Sequence, residues 1–219
     1  MTAAIVQSRD GITLLGGGTL YERDLDEALG IAPCLVAADG GAEAARRAGV
    51  TPQAVIGDLD SLSPETRAIL PPGIVHQVDE QDDTDFGKCL RLTRAPFHVA
   101  IGFTGARMDH ALAVLSDVAR HPGPVLVLGE REVIFRLPPR LELDLAPGTR
   151  VSLFPMGPVS GSSTGLRWPI DRLGFAPAGR IGTSNEALGR VHLRVVGPML
   201  ALVPRDCLAL ALNALRVAG

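Results

Sequence analysis

From residue 1 to about residue 128, short apolar runs alternate with segments whose apolar positions recur at helical spacing. The runs Gly11-Ile12-Thr13-Leu14-Leu15, Cys34-Leu35-Val36-Ala37-Ala38, Ala54-Val55-Ile56-Gly57 and Ile74-Val75-His76-Gln77-Val78 read as strands. His98-Val99-Ala100-Ile101 and Val125-Leu126-Val127-Leu128 read the same way. Between them, Leu25 and Leu29 mark a polar helix over residues 20–29, and an Ala-rich helix from Ala42 to Ala48 is stopped by Gly49. Ser63 as N-cap and Pro64 at the first helical position open a third helix. A fourth starts in Asp83-Thr84-Asp85 and runs through Lys88, Leu90 and Leu92. A fifth starts at Asp109 and carries Leu112, Leu115 and Val118. Strands alternating with helices of this length predict βαβ units and a Rossmann-like, mostly parallel sheet.

After Glu130 the texture changes. Val133-Ile134-Phe135, Arg150-Val151-Ser152-Leu153-Phe154, His192-Leu193-Arg194-Val195-Val196 and Met199-Leu200-Ala201-Leu202-Val203 are short runs separated by Pro and Gly turns. No amphipathic helix is evident until Leu208 to Val217. Such a pattern predicts a C-terminal β-sandwich or barrel. The change falls between residues 129 and 140, where Pro138-Pro139 punctuates the chain, and the domains are assigned as 1–132 and 133–219. With no long linker between them, they are expected to meet closely.

Composition narrows the functional classes. The 219 residues carry a formal net charge of -3 and no basic run, so neither nucleic acid nor an anionic membrane surface is an expected partner. Cys34, Cys89 and Cys207 are too few and too dispersed for a disulfide framework or a zinc pattern. Residues 1–18 lack the basic leader and apolar core of a signal peptide, and no apolar stretch approaches the roughly 18 to 20 residues that span a bilayer. A cytoplasmic location is expected. Aromatic residues make up only 4%, too few for a base-stacking surface, which singles out the lone Trp168.

The candidate chemistry lies just after the apolar runs. Asp39 with Gly40, then Asp58 and Asp60, then Asp82, Asp83 and Asp85, and finally Asp109 each follow a predicted strand. In an open α/β sheet the carboxyl ends of the strands share one edge, and ligands bind in the crevice there. Converging carboxylates repel one another unless a hard cation lies between them, and Mg²⁺ takes oxygen ligands while bridging to phosphates. Asp58 and Asp60, two apart on an extended segment, would face one cation together. The plainer reading of that pair is an acidic surface turn. In Gln81-Asp82-Asp83-Thr84-Asp85-Phe86-Gly87-Lys88, Thr84 or Asp85 serves as an N-cap in the plainer reading, and Lys88 is either solvated or a phosphate contact. Gly16-Gly17-Gly18 and the glycines Gly102 and Gly105 either let a backbone approach a phosphate or simply end strands. Trp168 is either a buried indole or a stacking face. No histidine spacing suggests a metal ligand, and Cys89 is expected in the core.

Taken together, these residues resemble the thiamine pyrophosphokinase family over nearly the whole chain. The resemblance rests on Asp39-Gly40-Gly41-Ala42, Ile56-Gly57-Asp58-Leu59-Asp60-Ser61 with Pro64-Glu65, and Gln81-Asp82-Asp83-Thr84-Asp85-Phe86 with Lys88. It continues in Gly105-Ala106-Arg107-Met108-Asp109-His110, Gly165-Leu166-Arg167-Trp168-Pro169 and Thr183-Ser184-Asn185-Glu186. Glu43 and Met108 depart from the family pattern, which usually has Asn and often an aromatic residue at these positions.

The resemblance implies an N-terminal α/β domain that binds ATP and Mg²⁺, and a C-terminal β-sandwich that completes the thiamine pocket of a partner subunit in a homodimer. Asp58, Asp60 and Asp85 are the expected metal ligands, with Asp39 in support. Asp109 is expected to orient the hydroxyl or bind the metal. Gly40, Gln81, Thr84, Lys88 and Arg107 are expected at the phosphates, and Trp168, Ser184 and Asn185 at thiamine. Two rival readings are a pyrophosphokinase for another heterocyclic alcohol, such as a hydroxymethylpterin, and a non-catalytic nucleotide or thiamine sensor. The first would change the Trp168 and Ser184-Asn185 pocket; the second would have lost metal aspartates.

Overall fold

The computed structural model describes residues 3–80, 82–105 and 107–218. Its contacts divide the chain into two compact units, Met1–Asp117 and Val118–Gly219.

In the first unit the elements run β1 (Val6–Gln7), β2 (Ile12–Leu15), α1 (Asp24–Ile31), β3 (Cys34–Ala38), α2 (Gly41–Arg47) and β4 (Ala54–Gly57). Then come α3 (Pro64–Ile69), β5 (Val75–Gln77), α4 (Asp85–Leu92), β6 (Thr93–Arg94), β7 (His98–Ile101) and α5 (Met108–Arg120), whose last turn passes the division. Five strands form a parallel sheet in the order β7-β2-β3-β4-β5. Every residue of β2, β3, β4 and β7 is buried, as expected of parallel strands covered on both faces. The chain builds outward from β2 to β5 and then returns to the other side of β2. That makes the β2/β7 junction the switch point, where α/β sheets open a crevice.

Local chemistry explains the helix starts. Ser63 Oγ accepts from Thr66 N at 3.1 Å with Pro64 next in line, and Thr84 Oγ1 accepts from Gly87 N at 2.9 Å. The first helix begins later than its leucine spacing predicts. Asp24 Oδ2 accepts the Tyr21 amide at 3.0 Å, which holds residues 21–24 in a turn, and the buried positions are Asp24 and Ala28. Leu112 on α5 is exposed, while Val114, Asp117, Val118 and Ala119 are buried. The short parallel pair β1/β6 was not legible as a periodic run.

The second unit contains β8 (Val125–Leu128), β9 (Glu132–Arg136), β10 (Arg140–Asp144), β11 (Arg150–Pro155), β12 (Val159–Leu166) and β13 (Gly174–Phe175). They are followed by β14 (Gly182–Val196), β15 (Met199–Pro204) and α6 (Leu208–Ala218). All pairings in this unit are antiparallel. The 15-residue β14 joins two sheets, pairing through residues 182–186 with β11 and through residues 190–194 with β10, and it also pairs with β12. Strict burial alternation along β10 marks a sheet with one solvated face. The fold class is therefore α/β with a C-terminal antiparallel sandwich, as the sequence pattern indicates.

Candidate active site

The candidate carboxylates of the first unit stand at the carboxyl-terminal edge of its parallel sheet: Asp39 after β3, Asp58 after β4 and Asp85 beyond β5. One oxygen from each of Asp39, Asp58 and Asp60 lies within 4.8 Å of the others. Extended alternation is not the cause. Leu59 has a φ of 68°, so the chain turns between Asp58 and Asp60 and brings their carboxylates together that way. Asp39 is also in the left-handed region, at φ 31°. Such backbone costs of order 1 kcal/mol or more per residue and persists where its surroundings impose it.

Asp39 is the centre of this cluster. It is buried, its Oδ2 accepts the Ser61 amide at 3.1 Å, and its Oδ1 is buried with no hydrogen-bond partner. Burial pushes its pKa up to about 6 against the pull of the Ser61 hydrogen bonds, with the charge of Asp85 adding to the rise. A buried carboxylate oxygen without a donor, grouped with two more carboxylates, fits a divalent cation of the oxygen-seeking kind.

Asp85 lies outside that trio but close enough for its charge to be felt at Asp39. Its Oδ1 accepts from Lys88 Nζ at 3.0 Å. Lys88, the only lysine of the chain, is buried, so the solvated reading fails. The Thr84 hydroxyl caps α4 and also donates to Asp117 Oδ2 at 2.6 Å, so its donor is already committed. Asp117, buried on α5, drew no attention in the sequence because a single acid on an amphipathic helix carries no pattern. Asp109 does not join the cluster. It is exposed and paired with Arg107 through contacts of 2.6 and 3.2 Å, which pull its pKa down to about 2. Gln81 lies outside the described residues.

A cleft of about 450 Å³ runs along this edge, lined by Gly16, Asp58, Asp85, Lys88, Gly102 and Arg107 among others. The two glycine loops at the switch point meet backbone to backbone: Gly18 N donates to Gly102 O at 2.7 Å. A Cβ on Gly16 would lie 2.4 Å from Gly102 O, so the glycines serve loop-to-loop contact. Gly40 follows Asp39 into the start of α2.

In the second unit, Trp168 is 56% exposed, which removes the buried-indole reading. The Arg167 guanidinium lies 5.8 Å from its ring centroid and pairs with Glu186 at 3.0 Å. Asn185 is buried, and its amide holds the Trp168 backbone: Oδ1 accepts Trp168 N at 3.1 Å and Nδ2 donates to Trp168 O at 2.7 Å. The expected direct ligand contact of Asn185 thus competes with a positioning role. Ser184, at φ 61°, is exposed and donates its amide to Ser152 Oγ at 3.0 Å. Trp168, Ile170, Phe175, Thr183 and Asn185 are among the residues lining a hollow of about 170 Å³.

Comparison with known proteins decides the family. Residues 25–126 match the model for the thiamin pyrophosphokinase catalytic domain, and residues 137–200 match the model for its vitamin B1 binding domain. The chain belongs to the thiamin pyrophosphokinase family. Thiamine pyrophosphokinase 1 of Oryza sativa subsp. japonica is 31% identical over 154 residues, covering 61% of this chain and 58% of the relative. The chain thus spans little more than half the length of that relative. In fold it is similar to thiamin pyrophosphokinase from Candida albicans, with a TM-score of 0.76 at 14% identity and 92% of each chain covered. It is also similar to thiamine pyrophosphokinase from Bacillus subtilis, with a TM-score of 0.70 at 20% identity, covering 89% of this chain and 98% of the other. No helix among the described residues is long and apolar enough to cross a membrane.

Proposed function

We propose that this chain is a thiamine diphosphokinase, moving a pyrophosphoryl group from ATP to the primary hydroxyl of thiamine and releasing AMP. The observation that carries the reading is the meeting of Asp39, Asp58 and Asp60 at the strand-end edge of a family catalytic domain. In the reaction the hydroxyl oxygen forms a bond to the β-phosphorus of ATP. The bond from that phosphorus to the oxygen bridging the α-phosphate breaks, and the hydroxyl proton is lost. Transfers of this type depend on positioning and charge neutralisation more than on covalent participation by the protein.

Asp58 and Asp60, with Asp39 behind them and Asp85 beside it, would hold Mg²⁺. The ion would neutralise charge on the transferring phosphates. Lys88 holds the Asp85 carboxylate in place through its hydrogen bond and would add a positive charge to the cleft wall where the phosphates bind. Arg107, with Asp109 orienting it, and Gly40 and Gln81 complete the proposed nucleotide side, while Thr84 lines it as the cap of α4. Trp168 offers an open indole face to the thiazolium cation of thiamine, with Ser184 and Asn185 fixing the segment around it.

The same reading assigns ATP and Mg²⁺ to residues 1–132 and thiamine to residues 133–219. It includes a homodimer in which each thiamine pocket is completed by the partner subunit, and a cytoplasmic location. The test is AMP release from ATP and Mg²⁺ with thiamine or a hydroxymethylpterin as acceptor. Release with thiamine alone supports the proposal. Release with the pterin alone replaces thiamine as the substrate.

A further inference from the structure

The turn that carries Asp58, Asp60 and Ser61 must hold two carboxylates close together against their mutual repulsion, across a left-handed residue at Leu59. It is tied at three points. Leu62 is buried in a small apolar cluster with Ala37, Ala42 and Val55. Asp39 accepts the Ser61 amide. The third tie is Glu43, on the first turn of α2. Its Oε1 accepts both Ser63 N at 3.1 Å and Ser63 Oγ at 2.6 Å, while Oε2 accepts Arg46 Nε at 3.4 Å.

Ser63 Oγ has one proton, given to Glu43, and it accepts from Thr66 N as the cap of α3. One carboxylate therefore fixes both the end of the aspartate turn and the start of the next helix. The Ser63 hydrogen bonds, foremost among several, pull the Glu43 pKa down to about 2, so Glu43 is ionised throughout the ordinary pH range. Hydrogen bonds to an ionised acceptor are roughly twice as strong as neutral ones. Asp39 and Glu43 lie four residues apart on the segment leading into α2, so one rigid element grips the turn at two places.

We propose that Glu43 is a positioning residue for the divalent-cation site, setting the separation of Asp58 and Asp60 by anchoring Ser63 to α2. The inference rests on the metal-site reading given above. Glu43 touches no ligand oxygen of the cluster itself; it acts through the Ser63 end of the turn. In the sequence it stands out only as a departure from the family pattern.

The test is Mn²⁺ binding to the full chain, read as loss of the free-ion electron paramagnetic resonance signal, alongside the melting temperature of the metal-free protein. Glu43→Ala is expected to weaken Mn²⁺ binding about tenfold, and Ser63→Ala by a similar factor. The double variant is expected to be no worse than the weaker single one, because both remove the same tie. If Glu43→Ala does not fold, Glu43→Gln keeps an acceptor at Oε1 and is expected to weaken binding about threefold. With saturating Mn²⁺, kcat is expected to recover while the metal requirement stays raised. Mn²⁺ affinity within twofold of wild type in a variant of lowered melting temperature would make Glu43 merely structural and overturn the proposal. Asp60→Asn serves as the control. If it binds Mn²⁺ as tightly as wild type, the metal-site reading itself fails and the tether falls with it.

Discussion

The Asn185 side chain closes a two-point bridge to the Trp168 backbone, accepting its N–H at 3.1 Å and donating to its C=O at 2.7 Å. A third bond runs from Glu186 N to the same Oδ1 at 2.9 Å. An exposed tryptophan beyond the end of β12 is thereby tied to β14 by an amide that is itself buried. Asn185→Ala leaves those backbone groups unpaired and is expected to cost about 2 to 3 kcal/mol of stability. A calorimetric melting temperature about 4 to 12 °C lower would match that loss. An unchanged melting temperature would mean that the bridge is not formed in solution.

Trp168→Ala is expected to behave in the opposite way. The indole is half exposed, so its removal changes the melting temperature little, but a stacked cation loses about 2 kcal/mol. The thiamine KM is expected to rise roughly 30-fold, with the ATP KM nearly unchanged. Equal rises in both constants would take Trp168 out of the thiamine pocket.

Asp60→Asn keeps shape and removes one charge from the trio. Turnover at limiting Mg²⁺ is expected to fall by at least roughly 30- to 100-fold, a loss of about 2 to 3 kcal/mol of transition-state stabilisation. The far-ultraviolet circular dichroism should be unaltered. Near-normal turnover at low Mg²⁺ would exclude Asp60 from the site.

Asp39 makes metal-free stability depend on pH. Its folded pKa is about 6 and its ordinary value 3.8, so the folded chain holds this proton more tightly than the unfolded chain does. The stabilising contribution is complete below about pH 3.8 and is lost as pH rises through 6. Asp39→Asn is expected to flatten that segment of the melting-temperature profile between pH 4 and 7. A divalent cation compensates the buried charge, so Mg²⁺ should raise the melting temperature more at pH 8 than at pH 5. An Mg²⁺ effect independent of pH would contradict this account of Asp39.

The parallel sheet was legible because Ile12–Leu15, Cys34–Ala38, Ala54–Gly57 and His98–Ile101 are continuous apolar runs, a pattern set by burial on both faces. The antiparallel strands announced themselves through Pro and Gly turns, but the 15-residue span of β14 did not, since only its last third, His192 to Val196, is a continuous strand-like run and Gly182 and Gly189 interrupt the rest. For the site, strand ends predicted which acids approach one another. They did not predict the left-handed backbone at Asp39 and Leu59, or the pairing of Asp109 with Arg107 and of Lys88 with Asp85. Those depend on side-chain directions and on what else each group can reach. Glu43 and Asp117 were invisible as partners for the same reason: their hydrogen-bond mates, Ser63 and Thr84, are 20 and 33 positions away.

Pyrophosphoryl transfer to thiamine stands or falls on the products formed. Wild-type chain incubated with thiamine, ATP and Mg²⁺ is expected to yield thiamine diphosphate and AMP in equal amounts by mass spectrometry, with both absent when Mg²⁺ is chelated. Thiamine monophosphate with ADP, or ATP consumption that leaves thiamine unmodified, would contradict it.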